Sequence, residues 1–207
     1  MIIPARIPRF IEWLFPRRVW QMPKAGKTLY LTFDDGPHPD ITPRVLALLE
    51  QYNAKATFFC IGDRVKKYPD VFKSILEAGH AVGNHTQHHL KGTKTSLDGY
   101  LADLDLAAEY INSQLFRPPY GRMNLTQQKS ILARGYQIIM WTILSADYDR
   151  NLSVEEVTKR ASSVLSDGYI YLFHDSEKAE ERMFPALKNL LEMGQREGYV
   201  FETIGKI

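Results

Sequence analysis

Short apolar runs alternate with amphipathic stretches about seven times along this chain, a pattern that favours a mainly parallel sheet layered with helices. Residues 29–33, 57–61, 81–83, 115–116, 136–143, 169–173 and 199–203 read as strands. Residues 42–52, 70–78, 97–111, 125–133, 153–165 and 185–196 carry helical spacing, and Ser153 with Glu156 makes a capping-box signature. The fold class read from this order is α/β. The polar residues fall with a bias: Asp34 and Asp35 follow the first strand, His85 the third, Arg117 the fourth, Asp147 the fifth and His174 the sixth. All sit at carboxyl ends, where the loops of parallel barrels and open sheets converge on a site.

Thr32-Phe33-Asp34-Asp35-Gly36-Pro37 puts two acids side by side after an apolar strand, and clustered acids repel unless something positive compensates. His85-Thr86-Gln87-His88-His89 offers imidazoles at i and i+4, which on one helical turn lie roughly 5–6 Å apart between Cβ atoms. His88, at i+3, shares that face and competes with His89. A carboxylate and two imidazoles suit Zn²⁺ or Fe²⁺ and leave coordination positions open. The spare acid is then a candidate general base for an activated water. Arg117-Pro118-Pro119-Tyr120 reads as a rigid turn presenting a guanidinium and a ring.

A length of 207 residues fits one domain. The formal charge of +2, with no aromatic-basic repeat, argues against a nucleic-acid partner. The single cysteine, Cys60, excludes an internal disulfide and a multi-thiolate metal site, and its apolar neighbours predict a buried, inert thiol. No stretch reaches transmembrane length, and arginines and prolines interrupt the apolar runs near the start. Residues 1–24 read as a basic-aromatic arm, expected to pack beneath a domain spanning 25–207; peripheral contact with an anionic membrane is the alternative. Cytoplasmic location is the default expectation.

Thr32-Phe33-Asp34-Asp35-Gly36, His85-Thr86-Gln87-His88-His89, Arg117-Pro118-Pro119-Tyr120, Trp141 with Asp147-Tyr148, and Leu172-Phe173-His174 resemble, in order and spacing, the five motifs of the polysaccharide deacetylase family (carbohydrate esterase family 4). The resemblance implies a distorted (β/α)7 barrel, with 25–207 as the catalytic domain. It implies a metal-dependent deacetylase acting on N-acetyl, or O-acetyl, groups of an amino-sugar polymer such as chitin oligomers or peptidoglycan. Position by position, it implies Asp35, His85 and His89 as metal ligands, choosing His89 over His88. Asp34 would be the general base and His174 the general acid, with Arg117 tuning Asp34 and Asp147 tuning His174. The backbone N–H of Tyr120 would face the oxyanion, and Trp141 and Leu172 would shape the acetyl pocket.

The implied metal is Zn²⁺; the donor types do not separate it from Co²⁺, Ni²⁺ or Fe²⁺. Leu144 stands where many members carry an acid and Tyr148 where tryptophan is frequent, departures that bear on substrate fit. Many members carry export signals, and none is read here, which weakens a cell-wall assignment; cell-envelope association is the alternative to the cytoplasmic default. The same residues admit a non-haem Fe(II) oxygenase, a carbohydrate-binding protein with a relic site, or a deacylase of a small non-carbohydrate amide.

Overall fold

β1 (Thr28–Asp34) and β2 (Ala56–Cys60) are buried at every position, as strands covered on both faces must be. In the computed structural model, which describes residues 4–205, they form the centre of a sheet. β3 (Ala81–Asn84), β4 (Leu115–Phe116) and β5 (Gln137–Ile138) extend it on one side. β6 (Ile143–Leu144) and β7 (Ile170–His174) extend it on the other, giving the order β5-β4-β3-β2-β1-β7-β6. β8 (Val200–Phe201) pairs with the start of β1. Every pairing between these strands is parallel, unlike the double β-sheets on which the oxygenase alternative usually sits. The seven-strand path makes the expected distorted (β/α)7 barrel, with its seam between β5 and β6.

After the short α1 (Arg9–Leu14), the helices are α2 (Ile41–Gln51), α3 (Gly62–Lys67), α4 (Pro69–Glu77), α5 (Leu97–Ala108), α6 (Leu125–Ala133), α7 (Val154–Ala161) and α8 (Glu180–Arg196). Ser153 and Glu156 cap α7 reciprocally, as their spacing predicts. Because successive strand residues face opposite ways, Leu29, Leu31 and Phe33 point to the helices, while Tyr30, Thr32 and Asp34 share the other face. Phe33 stacks between its register partners Phe58 and Phe173, at 4.9 and 5.9 Å between centroids. That aromatic row anchors the strand that ends in the two acids. Cys60 is fully buried, and burial pushes its thiol well above the usual range, as expected of an inert cysteine.

Three local expectations change. The run at 136–143 is not one strand but two short ones, because the carbonyls of Ile139 and Met140 turn to the Arg117 guanidinium instead of a ladder. α8 begins at Glu180, five residues before Pro185; the acids Glu180 and Glu181 occupy its first turn, and the proline lies inside it. α3 is an element that periodicity did not predict, separated from α4 by Tyr68 and by Pro69 at the first helical position. The amino-terminal residues run along the seam: Val19 bonds to Ile138 and Met140, Ile7 to Thr142, and Ala5 to Leu144. Trp20 and Ile7 are buried there, whereas Phe10 and Trp13 on α1 are exposed.

Candidate active site

The parallel registers carry the site residues to one end of the barrel. Asp34 lies beside His174 across β1 and β7, and Asn84 beside Phe116 brings the following His85 next to Arg117. Arg117 is fully buried and uses its whole fork. Nη1 donates to Thr32 Oγ1 at 2.7 Å and to Asp34 Oδ1 at 2.8 Å, while Nε and Nη2 donate to the carbonyls of Ile139 and Met140. Its plane sits over the Phe59 ring at 4.1 Å. A lysine has no such fork. Burial lowers the Arg117 pKa against the pull of Asp34, yet a guanidinium stays charged in proteins.

Asp35, His85 and His89 bring one ligand atom each to within 4.8 Å of one another. They do so without the helical turn expected from their spacing: His85 to His89 is a loop, with Thr86 and His89 in the left-handed region at φ 63° and 56°. Two clamps shape it. Asn84 accepts from Thr86 N–H, and the buried Asp103 of α5 accepts from the N–H groups of Gln87 and His88 and from the His88 ring at 2.5 Å. His88 is thereby turned away to Asp103, while His89 Nε2 lies 3.2 Å from Asp35 Oδ1.

His85 Nδ1 faces the Arg117 carbonyl at 2.8 Å and must donate to it, which leaves the Nε2 lone pair for the cluster, 3.8 Å from Asp35 Oδ1. A ring so oriented by its other nitrogen is the usual state of a metal-ligating histidine. Burial pushes His85 down to about 4 despite Asp34 and Asp35, so near neutral pH it is the neutral, ligating form. Burial would raise the Asp35 carboxyl, but the His89 hydrogen bond and the charges of His174, His85 and His89 hold it well below the usual range. The donor set therefore fits a divalent first-row cation.

His174 closes the opposite side. Its ring Nδ1 lies 2.8 Å from Asp147 Oδ1, its backbone N–H donates to Asp147 Oδ2, and the Tyr148 ring packs edge-on at 4.9 Å. Burial opposes imidazolium, but the Asp147 charge and hydrogen bond, with Asp35 and Asp34, lift His174 to about 9. Trp141 packs on Leu144, Ala146 and Leu172 to form an apolar wall. Trp141 Nε1 is buried with no acceptor among the described residues. Tyr120, at φ 60°, lays its ring on His89 at 4.6 Å. These groups line a cleft of about 620 Å³.

Of the seven non-glycine residues with positive φ among the described residues, five (Asp35, Thr86, His89, Tyr120 and Ala146) lie at this end of the barrel. Such conformations cost on the order of 1–3 kcal/mol each and persist only where the surrounding structure imposes them. The motifs alone did not reveal Asp103, or the part of Asp175, whose Oδ2 accepts from Thr42 at 2.5 Å and whose N–H bonds the Asp34 carbonyl. A Cβ on Gly36 would collide with the Asp175 carboxylate. The one available signal was the adjacency of Asp175 to His174.

A family model described as polysaccharide deacetylase matches residues 21–139. A peptidoglycan-N-acetylglucosamine deacetylase of Bacillus cereus is 35% identical over 194 residues, covering 91% of this chain and 91% of that protein. The peptidoglycan-N-acetylmuramic acid deacetylase PdaA of Bacillus subtilis is 31% identical, with 86% and 70% covered. The chain spans only 41% of some longer relatives. Among solved structures, the Bc1960 peptidoglycan N-acetylglucosamine deacetylase, crystallised with a naphthalenyl N-oxidanyl-benzamide, superposes with a TM-score of 0.86 at 28% identity over 96% of this chain and 95% of that one.

Proposed function

Because the chain belongs to the polysaccharide deacetylase family, hydrolases of amide bonds, we propose that it removes N-acetyl groups from the amino sugars of peptidoglycan. The observation that carries this reading is the joint arrangement of a cluster of three potential metal ligands, an arginine-paired carboxylate and an aspartate-paired imidazole around one cleft. Asp35, His85 and His89 would hold a divalent cation, Zn²⁺ in our assignment. The chemistry such an ion supplies is polarisation of the acetyl oxygen and a lowered pKa for water.

Asp34 takes the proton of the attacking water. One of its oxygens is tied to Arg117 at 2.8 Å, and the other, 3.7 Å from His85 Nε2, faces the ligand cluster. The Arg117 charge favours the carboxylate form that a base needs. The Tyr120 N–H stabilises the charge developing on the acetyl oxygen, and the wall of Trp141, Leu144 and Leu172 holds the methyl group. Leu144 adds to the apolar side of this pocket. His174, protonated through Asp147, gives its proton to the departing amine, which cannot leave as an anion. The substrate places the working protein at the cell envelope.

The test is acetate release from peptidoglycan fragments and chitin oligomers by metal-loaded protein and by Asp34→Asn. Loss of a general base is expected to lower kcat on the order of 10²–10⁴-fold with metal content kept. Full activity in that variant removes the assigned base, and binding without acetate release by the unmodified protein supports the relic-site alternative.

A further inference from the structure

The acids on the cleft floor all have partners: Asp34 has Arg117, Asp147 has His174, and Asp35 has His85 and His89. The rim differs. It carries Arg64, Lys91, Arg122 and Lys178 against one acid, Glu177, which itself lies 3.3 Å from His38. None of the four cations makes an ion pair among the described residues. With a formal charge of only +2, the chain has no general excess to account for this concentration.

Three of these cations come from successive connections of the barrel. Arg64 is on α3 after β2, Lys91 is in the loop after β3, and Arg122 follows β4. One flank of the cleft is therefore positive. It begins a single side chain away from the ligand cluster: Lys91 Nζ is 5.7 Å from the centre of the Tyr120 ring, which rests on His89.

We propose that Arg64, Lys91 and Arg122 form a carboxylate-binding subsite that selects a glycan strand carrying an anionic group beside the acetylated sugar. The proposal rests on the deacetylase reading and deepens it by naming the charge of the substrate. Exposed cation–carboxylate contacts are weak singly, but arginines grip carboxylates bidentately, and three cations on one flank add. Two sources supply such carboxylates in peptidoglycan, the ether-linked acid on the sugar and the attached peptide.

The test uses the metal-loaded full chain and three strands of equal length. These are a peptide-free glycan with free carboxyls, the same glycan with carboxyls reduced to alcohols, and a peptide-bearing strand. Binding is read by tryptophan fluorescence and deacetylation by acetate release, for the unmodified protein and for Arg64→Gln with Arg122→Gln. A carboxylate strand is expected to bind about tenfold more tightly than the reduced one, with a preference that fades as salt rises. The double variant loses that preference through KM, with kcat retained. Preference for the free-carboxyl glycan assigns the sugar acid; preference for the peptide-bearing strand alone assigns the peptide. Equal binding of all three strands, or a preference that survives in the variant, overturns the proposal. Absence of acetate from every strand would sink the deacetylase reading instead, and the binding comparison would still decide the subsite.

Discussion

Asp147→Asn tests the link between geometry and proton transfer most sharply. Asp147 is wholly buried and accepts both the backbone N–H and the ring of His174, each at 2.8 Å. Burial alone would push the imidazole below its ordinary 6.5, and the Asp147 charge, its hydrogen bond and the nearby Asp35 and Asp34 raise it to about 9. That difference is worth about 3 kcal/mol in favour of imidazolium. Asparagine keeps the size and an acceptor but removes the charge, so burial then dominates. In the proposed mechanism His174 enters protonated, so turnover falls when pH rises through its pKa. The basic limb of kcat/KM for acetate release, near pH 9 in the unmodified protein, is expected to move about two units lower, with turnover at pH 8 down roughly tenfold. Stability reports the same group. A raised folded pKa contributes up to about 3 kcal/mol below the ordinary histidine value, lost as pH rises through about 9, so urea midpoints should drop across that window only when Asp147 is present. An unmoved basic limb in the variant refutes the argument that Asp147 holds His174 as an acid.

His85→Ala removes a fully buried imidazole from the proposed ligand cluster, and metal analysis after dialysis is expected to show loss of the bound ion; a stoichiometric ion in that variant contradicts the ligand assignment. Arg117→Lys leaves Thr32, Asp34 and the carbonyls of Ile139 and Met140 short of donors, and denaturant titration is expected to show a loss of about 3–5 kcal/mol. A loss within experimental error would mean that the guanidinium does not hold the strand ends together.

Chain order alone was enough to gather most of the candidate site. In a parallel sheet all strands point one way, so residues that follow apolar runs must meet at one end, and period-two alternation already turned Thr32 and Asp34 inward together. The capping signals of α7 were equally local and equally readable. The convergence of His85 and His89 was readable too, but not its means: a left-handed loop clamped by Asp103 replaces the helical turn, and local spacing carries no information about a carboxylate on a later helix. The break at 139–142 was invisible for a related reason. Hydropathy reports side chains, whereas the break is imposed on backbone carbonyls by the demand of a buried guanidinium for hydrogen bonds. The run of the amino-terminal residues along the seam and the positive flank of the cleft depend on which distant segments become neighbours. Periodicity encodes which way a side chain faces; the partners of buried polar groups are chosen by packing in space.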